Sequence, residues 1–195
     1  DPSTNALTLD TLCEVDRYAL ARFGEITTRV LRAYDRYEFQ TVVHTLNNYI
    51  TVDLSSFYID ISKDRLYTFG SGSSARRSAQ TAMHIIVEGL TKLLAPILPV
   101  TCDDLWRNLP STQVESVHLS DLPTTTELLS DKEVVERWTQ LIALRDAVNG
   151  QLEKLRKNKV VDTSLEAEVT LTAEGDLGEI LETYQEELPA LFITS

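Results

Sequence analysis

The fold is decided by residues 12–37, LCEVDRYALARFGEITTRVLRAYDRY. Apolar side chains recur there at every third or fourth position, which places them along one face of an α-helix. They are Leu12, Val15, Ala19, Phe23, Ile26, Val30, Ala33 and Tyr37. The pattern predicts an amphipathic helix of about seven turns. The other face carries arginines among acids, which favours a solvated face over a ligand site; they are Arg17, Arg22, Arg29, Arg32 and Arg36.

Helical spacing continues outward from this stretch. It returns over residues 39–50 and 79–93, and residues 54–66 fit either a strand or a helix, with their helical neighbours favouring a helix. The Gly-Ser segment at 70–74 is predicted to be a loop, without the lysine that a phosphate-binding loop requires. After two prolines, Thr101 is expected to cap a short helix. The first half of the chain is therefore predicted to be a helical bundle.

The second half changes character twice. Residues 113–130 lack a sustained period and are predicted to form an extended connector, whereas residues 131–159 follow a strict helical spacing. Arg145 lies on the apolar stripe of that helix, either packed at its edge with its head paired or as a functional contact. Residues 160–195 are predicted to be a small strand–helix–strand unit, with strands around Leu165–Leu171 and at 191–193. The predicted fold is mainly α: a bundle over 1–112, the connector, the long helix, and a small, truncated α/β unit.

The charge of the chain is uneven. The formal net charge is −12, yet residues 61–107 carry six basic and four acidic side chains, and nine acids without a base follow Val160. The total therefore does not exclude a nucleic-acid-binding face in the first half. Two distant cysteines, Cys13 and Cys102, and the absence of a signal-peptide pattern predict a cytoplasmic protein without a structural zinc site.

No catalytic constellation is visible in the sequence. His44, His84 and His118 have no companions at the spacing of a metal site or a catalytic pair, and no Gly-x-Ser-x-Gly motif surrounds a serine. We therefore expect no catalytic residue and no metal ligand in this chain. Helices bearing arginines without a nucleophile indicate a binding module.

A series of short motifs resembles the anticodon-binding helical domain of the isoleucyl-tRNA synthetase family, followed by the start of its C-terminal junction region. The motifs are YEF at 37–39, NNY at 47–49, VDLSSFY at 52–58, KDRLY at 63–67, RRSAQT at 76–81, LLAPILP at 93–99, LW at 105–106, W at 138, LRD at 144–146, LE at 152–153 and SLEA at 164–167. Their order and spacing cover roughly residues 12–172. Domains of valyl- or leucyl-tRNA synthetases and an acidic helical module for protein partners remain the alternatives.

The resemblance implies a binding domain of a class I synthetase, which joins isoleucine to its tRNA with ATP and magnesium. The family's adenylate-forming signatures do not occur in this sequence, so we expect the chain alone to bind the anticodon stem-loop and to catalyse nothing. Its implied partners are tRNA and the catalytic and editing domains of a longer, monomeric chain, with no membrane.

Basic side chains would neutralise phosphates, and an aromatic ring would stack on a base. The candidates are Arg76, Arg77, Lys63, Arg65, Arg107, Trp106, Lys154, Arg156, Lys157 and Lys159. Trp106 stands beside Leu105 and Leu109, which favours a place in the core over stacking. Arg76 and Arg77 are equally consistent with a solvated helix start paired with acids.

Overall fold

The computed structural model describes residues 2–110, 114–124, 132–163 and 166–193, without the side chains of residues 2 and 3. The chain divides into two units, Asp1–Val134 and Val135–Ser195. Most of the described residues of each unit are helical, so the prediction of a mainly α fold is confirmed. The predicted domain boundaries stay predictions.

The first unit is built around the long helix that its apolar periodicity predicts. The helices are α1 (Pro2–Asn5), α2 (Glu14–Asp35), α3 (Phe39–Asn48), α4 (Ile59–Tyr67), α5 (Ser74–Leu94) and α6 (Pro99–Asn108). Helix α2 packs against α3 and α5, and its apolar face supplies fully buried residues such as Phe23 and Val30. None of the described helices is both long and apolar enough to cross a membrane.

The contact between α2 and α5 depends on a glycine. A β-carbon at Gly89 would lie 2.5 Å from Cζ of Phe23, well inside van der Waals contact. Phe23 is itself 1% exposed, so its ring is enclosed by neighbouring residues. Gly89 therefore sets how closely the two helices approach each other.

A wider helical segment joins α3 to α4. Residues Tyr49–Tyr58 form a π-helix, so the ambiguous stretch 54–66 is helical, as its neighbours favoured. Two serine hydroxyls follow the same five-residue step, because Ser55 donates to the carbonyl of Ile50 and Ser56 to that of Thr51. The segment is joined to α2 by Arg22, whose Nε donates to Asp53 at 2.9 Å.

Helix α6 begins earlier than predicted. Pro99 occupies its first turn and Leu98 precedes it, so Thr101 lies inside the helix and the predicted cap is wrong. A proline at this position has its φ already set for a helix and gives up a backbone N–H that would have no partner there. In the described part of the predicted connector, residues 114–124, a short 3-10 turn at Val117–Leu119 is the sole helical element.

The second unit contains most of α7 (Lys132–Lys157), α8 (Asp176–Thr183) and α9 (Leu188–Phe192). Trp138 of α7 contacts Tyr184 edge-to-face, with ring centroids 5.7 Å apart. Arg145 is buried, and its Nε donates to the carbonyl of Leu191 at 2.9 Å. Of its two predicted roles, the structure therefore shows the packed and paired one.

The predicted strand–helix–strand unit is wrong in its strands. Leu165 lies outside the described residues. From Ala167 the side chains alternate between covered and exposed, with Ala167 buried and the later covered positions half-buried, but residues 167–174 form no ladder with another described segment. The alternation thus reflects one covered face, which a lone extended segment also shows. The expected second strand is helix α9, because Pro189 favours a first helical turn and Ile193, with φ 54°, ends it.

Candidate nucleic-acid interface

A buried carboxylate connects the elements around the start of α5. Asp16 of α2 is fully buried and accepts hydrogen bonds from Tyr58, Ser78 and Arg65. Ser78 in turn accepts a hydrogen bond from the backbone N–H of Cys13 at 2.7 Å. Four elements therefore meet at one carboxylate, and the first turns of α5 are fixed relative to α2.

The predicted phosphate contact at Arg65 is occupied by this carboxylate. Both terminal nitrogens of Arg65 lie 2.9 Å from Asp16, and the side chain is 15% exposed. Burial is the largest single effect on Arg65 and opposes its charge, but the hydrogen bonds to Asp16 and the attraction of its negative charge together exceed burial and raise the pKa of the guanidinium. Arg65 therefore stabilises the fold and has no donor fork free for a phosphate in this conformation.

Burial and the same carboxylate also act on Tyr58. Burial is the larger cause, and together with the negative charge of Asp16 it raises the pKa of the phenol well above its ordinary value. The hydroxyl therefore remains protonated and donates to Asp16 at 2.6 Å. This bond closes the polar cluster without a buried unpaired group.

The first turn of α5 carries the two adjacent arginines predicted to bind RNA. Ser73 precedes the helix, and its hydroxyl accepts from the N–H of Arg76. The two side chains then differ: Nη1 of Arg76 donates to the carbonyl of Phe69 at 2.8 Å, whereas the guanidinium of Arg77 has no hydrogen bond or ion pair within the described ranges. Arg77 is therefore the available cation of the pair.

Arg77 lies at the edge of a groove of about 550 Å³ in the first unit. Most of the groove is apolar, with Leu54, Met83 and Leu90 among its lining residues. His84 also lines it, and its Nε2 lies 3.8 Å from Glu88. The lining does not suit a phosphate, and Arg77 is the one lysine or arginine among the described residues that line the groove.

Two other predicted contacts are exposed but paired with acids on their own helices. Lys63 lies 2.8 Å from Asp60, and the hydrogen bond to Asp60 raises the pKa of Lys63. Arg107 lies 2.6 Å from Asp103, and its side chain is 66% exposed. Exposed pairs of this kind contribute little stability, so exchange of the carboxylate for a phosphate costs little.

Trp106 is not available for stacking on a base. The residue is 2% exposed and packs with Ala95, Cys102 and Val117, and its indole N–H donates to the carbonyl of Val114 at 2.9 Å. Lys92 lies over the ring, 5.4 Å from its centroid. Of the two predicted roles, the structure shows the core one, because both the faces and the polar edge of the ring are occupied.

The basic end of α7 is exposed and lies in the second unit. Arg156 pairs with Glu153 at 2.8 Å and Lys154 donates to Gln151 at 3.3 Å. Lys157 and Lys159 have no ion pair with the residues that the structure describes, and Lys159 has a positive φ of 55° just after the helix. This end therefore offers two unpaired cations.

Asp16 is the residue that the sequence analysis missed. It stands at helical spacing with Leu12, Ala19 and Phe23, on the buried stripe rather than on the solvated face. An acid at such a position requires a partner, and that requirement was a usable signal.

In the described part of the chain, no group of three His, Cys, Asp or Glu side chains is placed to hold a metal ion. Of the histidines, His118 lies 3.2 Å from the carbonyl of Pro99, and His44 is exposed on α3. Cys13 and Cys102 are free thiols.

Comparison with known proteins agrees with this geometry. Residues 16–171 match the family model described as the anticodon-binding domain of tRNA ligase. Proteins named isoleucine–tRNA ligase align with the whole chain at 43% identity in Halalkalibacterium halodurans, 42% in Syntrophotalea carbinolica and 41% in Bacillus cereus strain G9842. The chain spans 21% of the length of each of these relatives. The chain with these helices, this buried network at Asp16 and these cations therefore belongs to the anticodon-binding domain family of tRNA ligases.

Proposed function

We propose that this chain binds the anticodon stem-loop of an isoleucine-specific tRNA, as one part of a longer isoleucine–tRNA ligase. The family match over residues 16–171 is the observation that carries the proposal. The relatives' shared name supports isoleucine over valine or leucine. Ligation of isoleucine, with ATP and magnesium, would be performed by the part of the ligase that this chain does not span.

Arg77 is the centre of the proposed contact. Its guanidinium is unpaired among the described residues, and the next residue, Ser78, is fixed to the buried carboxylate of Asp16. A cation held on a fixed helix loses little freedom when it binds a phosphate, which improves both affinity and register. Arg76 supports this turn through its bond to the carbonyl of Phe69.

The exposed cations of the other helices complete the proposed contact. In the first unit, Lys63 and Arg107 would neutralise phosphates of the stem-loop. In the second unit, taken by itself, tRNA phosphates would be neutralised by Lys154, Arg156, Lys157 and Lys159. Arg65 and Trp106 are left out, since one is bound to Asp16 and the other is packed in the core.

The proposal extends to the longer ligase as a whole. We propose that the longer ligase is a cytoplasmic monomer whose catalytic and editing domains act together with this one. Free thiols at Cys13 and Cys102 are compatible with a reducing compartment.

A salt titration of tRNA binding tests the proposal. Fluorescence anisotropy would measure the affinity of the chain for a transcript of isoleucine tRNA at several salt concentrations. Phosphate contacts predict that the logarithm of the association constant falls linearly with the logarithm of salt, by roughly 0.7–0.9 per contact. Arg77→Gln should weaken binding and lower that slope by about one.

The matched control removes an exposed cation outside the proposed contact. Lys132→Gln at the start of α7 makes the same change of charge and should leave affinity and slope within experimental error. Absence of binding at about 50 mM salt, or equal losses for both variants, would contradict the proposal.

A further inference from the structure

Arginines and aromatic rings share the corner where α2 meets α3. This corner surface consists of Arg29, Arg32 and Arg36 on α2 and at its end, followed by Tyr37 and Phe39. All five residues are exposed. None of them takes part in the contact proposed around Arg77.

The three arginines form one row. Positions 29, 32 and 36 are three and four residues apart, so they lie on the same face of α2. Their guanidinium groups have no hydrogen bond or ion pair with any residue that the structure describes. Arg22, earlier on the same helix, is by contrast held by both Glu25 and Asp53.

Two acids lie in the same stretch. Asp35 and Glu38 are exposed and form no ion pair with the row in the described structure. The local balance is therefore three cations against two anions, in a chain whose net charge is −12. Cations near the end of a helix also offset the helix dipole, which gives Arg32 and Arg36 a structural role but leaves the aromatic residues unexplained.

Tyr37 occupies a position that usually belongs to glycine. Its φ is 58°, its N–H donates to the carbonyl of Tyr34 at 3.0 Å, and the N–H of Glu38 donates to the carbonyl of Ala33 at 2.8 Å. This is the hydrogen-bond pattern that ends many helices, and a side chain with a β-carbon is unfavourable there. The backbone conformation therefore does not favour a tyrosine at this position.

The ring of Tyr37 is directed to solvent rather than to the core. The residue is 79% exposed, and its centroid lies 6.2 Å from that of Phe39 at an interplanar angle of 75°. Phe39 is 51% exposed and contacts Tyr34 in the same edge-to-face manner. The neighbouring rings hold Tyr37 in place while most of its surface remains free.

We propose that the corner surface binds an unpaired segment of RNA, with a base stacked on Tyr37 and the adjacent phosphates on the arginine row. An exposed aromatic ring beside unpaired cations is the combination that binds single-stranded nucleic acid, because each base has a face to stack and each phosphate a charge to neutralise. The identification of that RNA as tRNA rests on the proposed function. An acidic peptide would use the arginines but has no base to stack on Tyr37.

The glycine variant separates stacking from folding. Tyr37→Gly removes the ring and at the same time relieves the positive φ, so the thermal midpoint should stay or rise. Affinity of the full chain for a fluorescein-labelled, mixed-sequence, unpaired RNA of about 12 nucleotides should fall about tenfold. Tyr37→Trp is the matched control, because it keeps a ring for stacking, and it should retain the affinity.

The arginine row has its own paired variants. Replacement of Arg29, Arg32 and Arg36 by Gln should lower the salt slope of binding by about two, whereas replacement of all three by Lys should preserve it. The same measurements with the tRNA transcript show whether the corner surface contributes to the whole complex.

The outcomes are distinct. If Tyr37→Gly changes the affinity for both RNAs by less than twofold, or if an oligo-glutamate peptide binds with the same dependence on Tyr37, the corner surface is not an RNA site. If the oligonucleotide binds through Tyr37 but an isoleucine tRNA binds no better than any other tRNA, the corner surface stands and the proposed function fails. If Arg77→Gln weakens tRNA binding and the corner variants do not, the proposed function stands and the corner surface fails.

Discussion

Arg65 donates two hydrogen bonds of 2.9 Å to the carboxylate of Asp16, which precedes it by 49 residues. The pair joins α2 to α4 inside the first unit, and Tyr58 and Ser78 bring two further elements to the same oxygens. A buried carboxylate is unfavourable unless it is fully paired, and here each oxygen has more than one donor. The network thus fixes the frame from which Arg77 projects.

Removal of the negative charge of Asp16 should destabilise the first unit strongly. Asp16→Asn keeps the size of the side chain but leaves the guanidinium of Arg65 without its counter-charge, and breaking a buried pair in this way costs about 3–5 kcal/mol. Urea unfolding followed by circular dichroism would measure the change. Asp60→Asn, which breaks the exposed pair with Lys63, is the control and should cost less than about 1 kcal/mol. Similar losses for both variants would show that the buried pair contributes no more than an exposed one.

Periodicity predicted the helices correctly because burial of an apolar face depends only on local spacing. The long helix, the helical form of residues 54–66 and the helix around Arg145 all follow from it. The partners of Asp16 and Arg65 could not be predicted, because they come from segments far apart in the chain. The strand predicted at 191–193 failed because a short apolar run fits strand and helix alike, and Pro189 favoured the helix.

Among the predicted contacts, too, local features could be predicted from the sequence, whereas partners from distant segments could not. Charge, and the usual exposure of long cationic side chains, predict Lys63, Arg77 and Arg107 as contacts, and these contacts stay predictions. Charge and exposure did not identify which arginine has a buried partner, so Arg65 was predicted as a free contact. Tyr37 was assigned to the apolar stripe of α2, and only its backbone angle and its exposure show that it lies beyond the end of the helix.

A methyl group at Gly89 should separate α2 from α5. Gly89→Ala places the new carbon 2.5 Å from Cζ of Phe23, and overpacking of this kind costs about 1–3 kcal/mol even though alanine favours a helix more than glycine does. Thermal unfolding would measure the loss. Gly150→Ala on α7 is the control, because nothing lies within 4 Å of its added β-carbon, and it should be neutral or stabilising. A loss at Gly150 as large as that at Gly89 would contradict the packing argument.

The contact between Asp103 and Ser116 should make the junction of α6 with the Val117–Leu119 turn sensitive to acid. The hydroxyl of Ser116 donates to Asp103 at 2.5 Å, and this bond, with a smaller contribution from Arg107, lowers the pKa of Asp103 below its ordinary 3.8. Because the folded state favours the ionised carboxylate, its contribution to stability is present above the ordinary pKa. The contribution is lost as the pH falls through that value towards the lowered one.

Ser116→Ala should therefore move the pKa of Asp103 back towards 3.8, as measured by NMR titration of its side-chain carboxyl carbon. The variant should also be less stable than the original chain at pH 7, with a difference that shrinks as the pH falls from the ordinary pKa of the carboxyl towards the lowered one. Ser120→Ala is the matched control, because its hydroxyl donates to the carbonyl of Val117 in the same turn and does not touch Asp103. An unchanged pKa of Asp103 in Ser116→Ala, or an equal rise in Ser120→Ala, would show that the hydroxyl of Ser116 is not the cause of the shift.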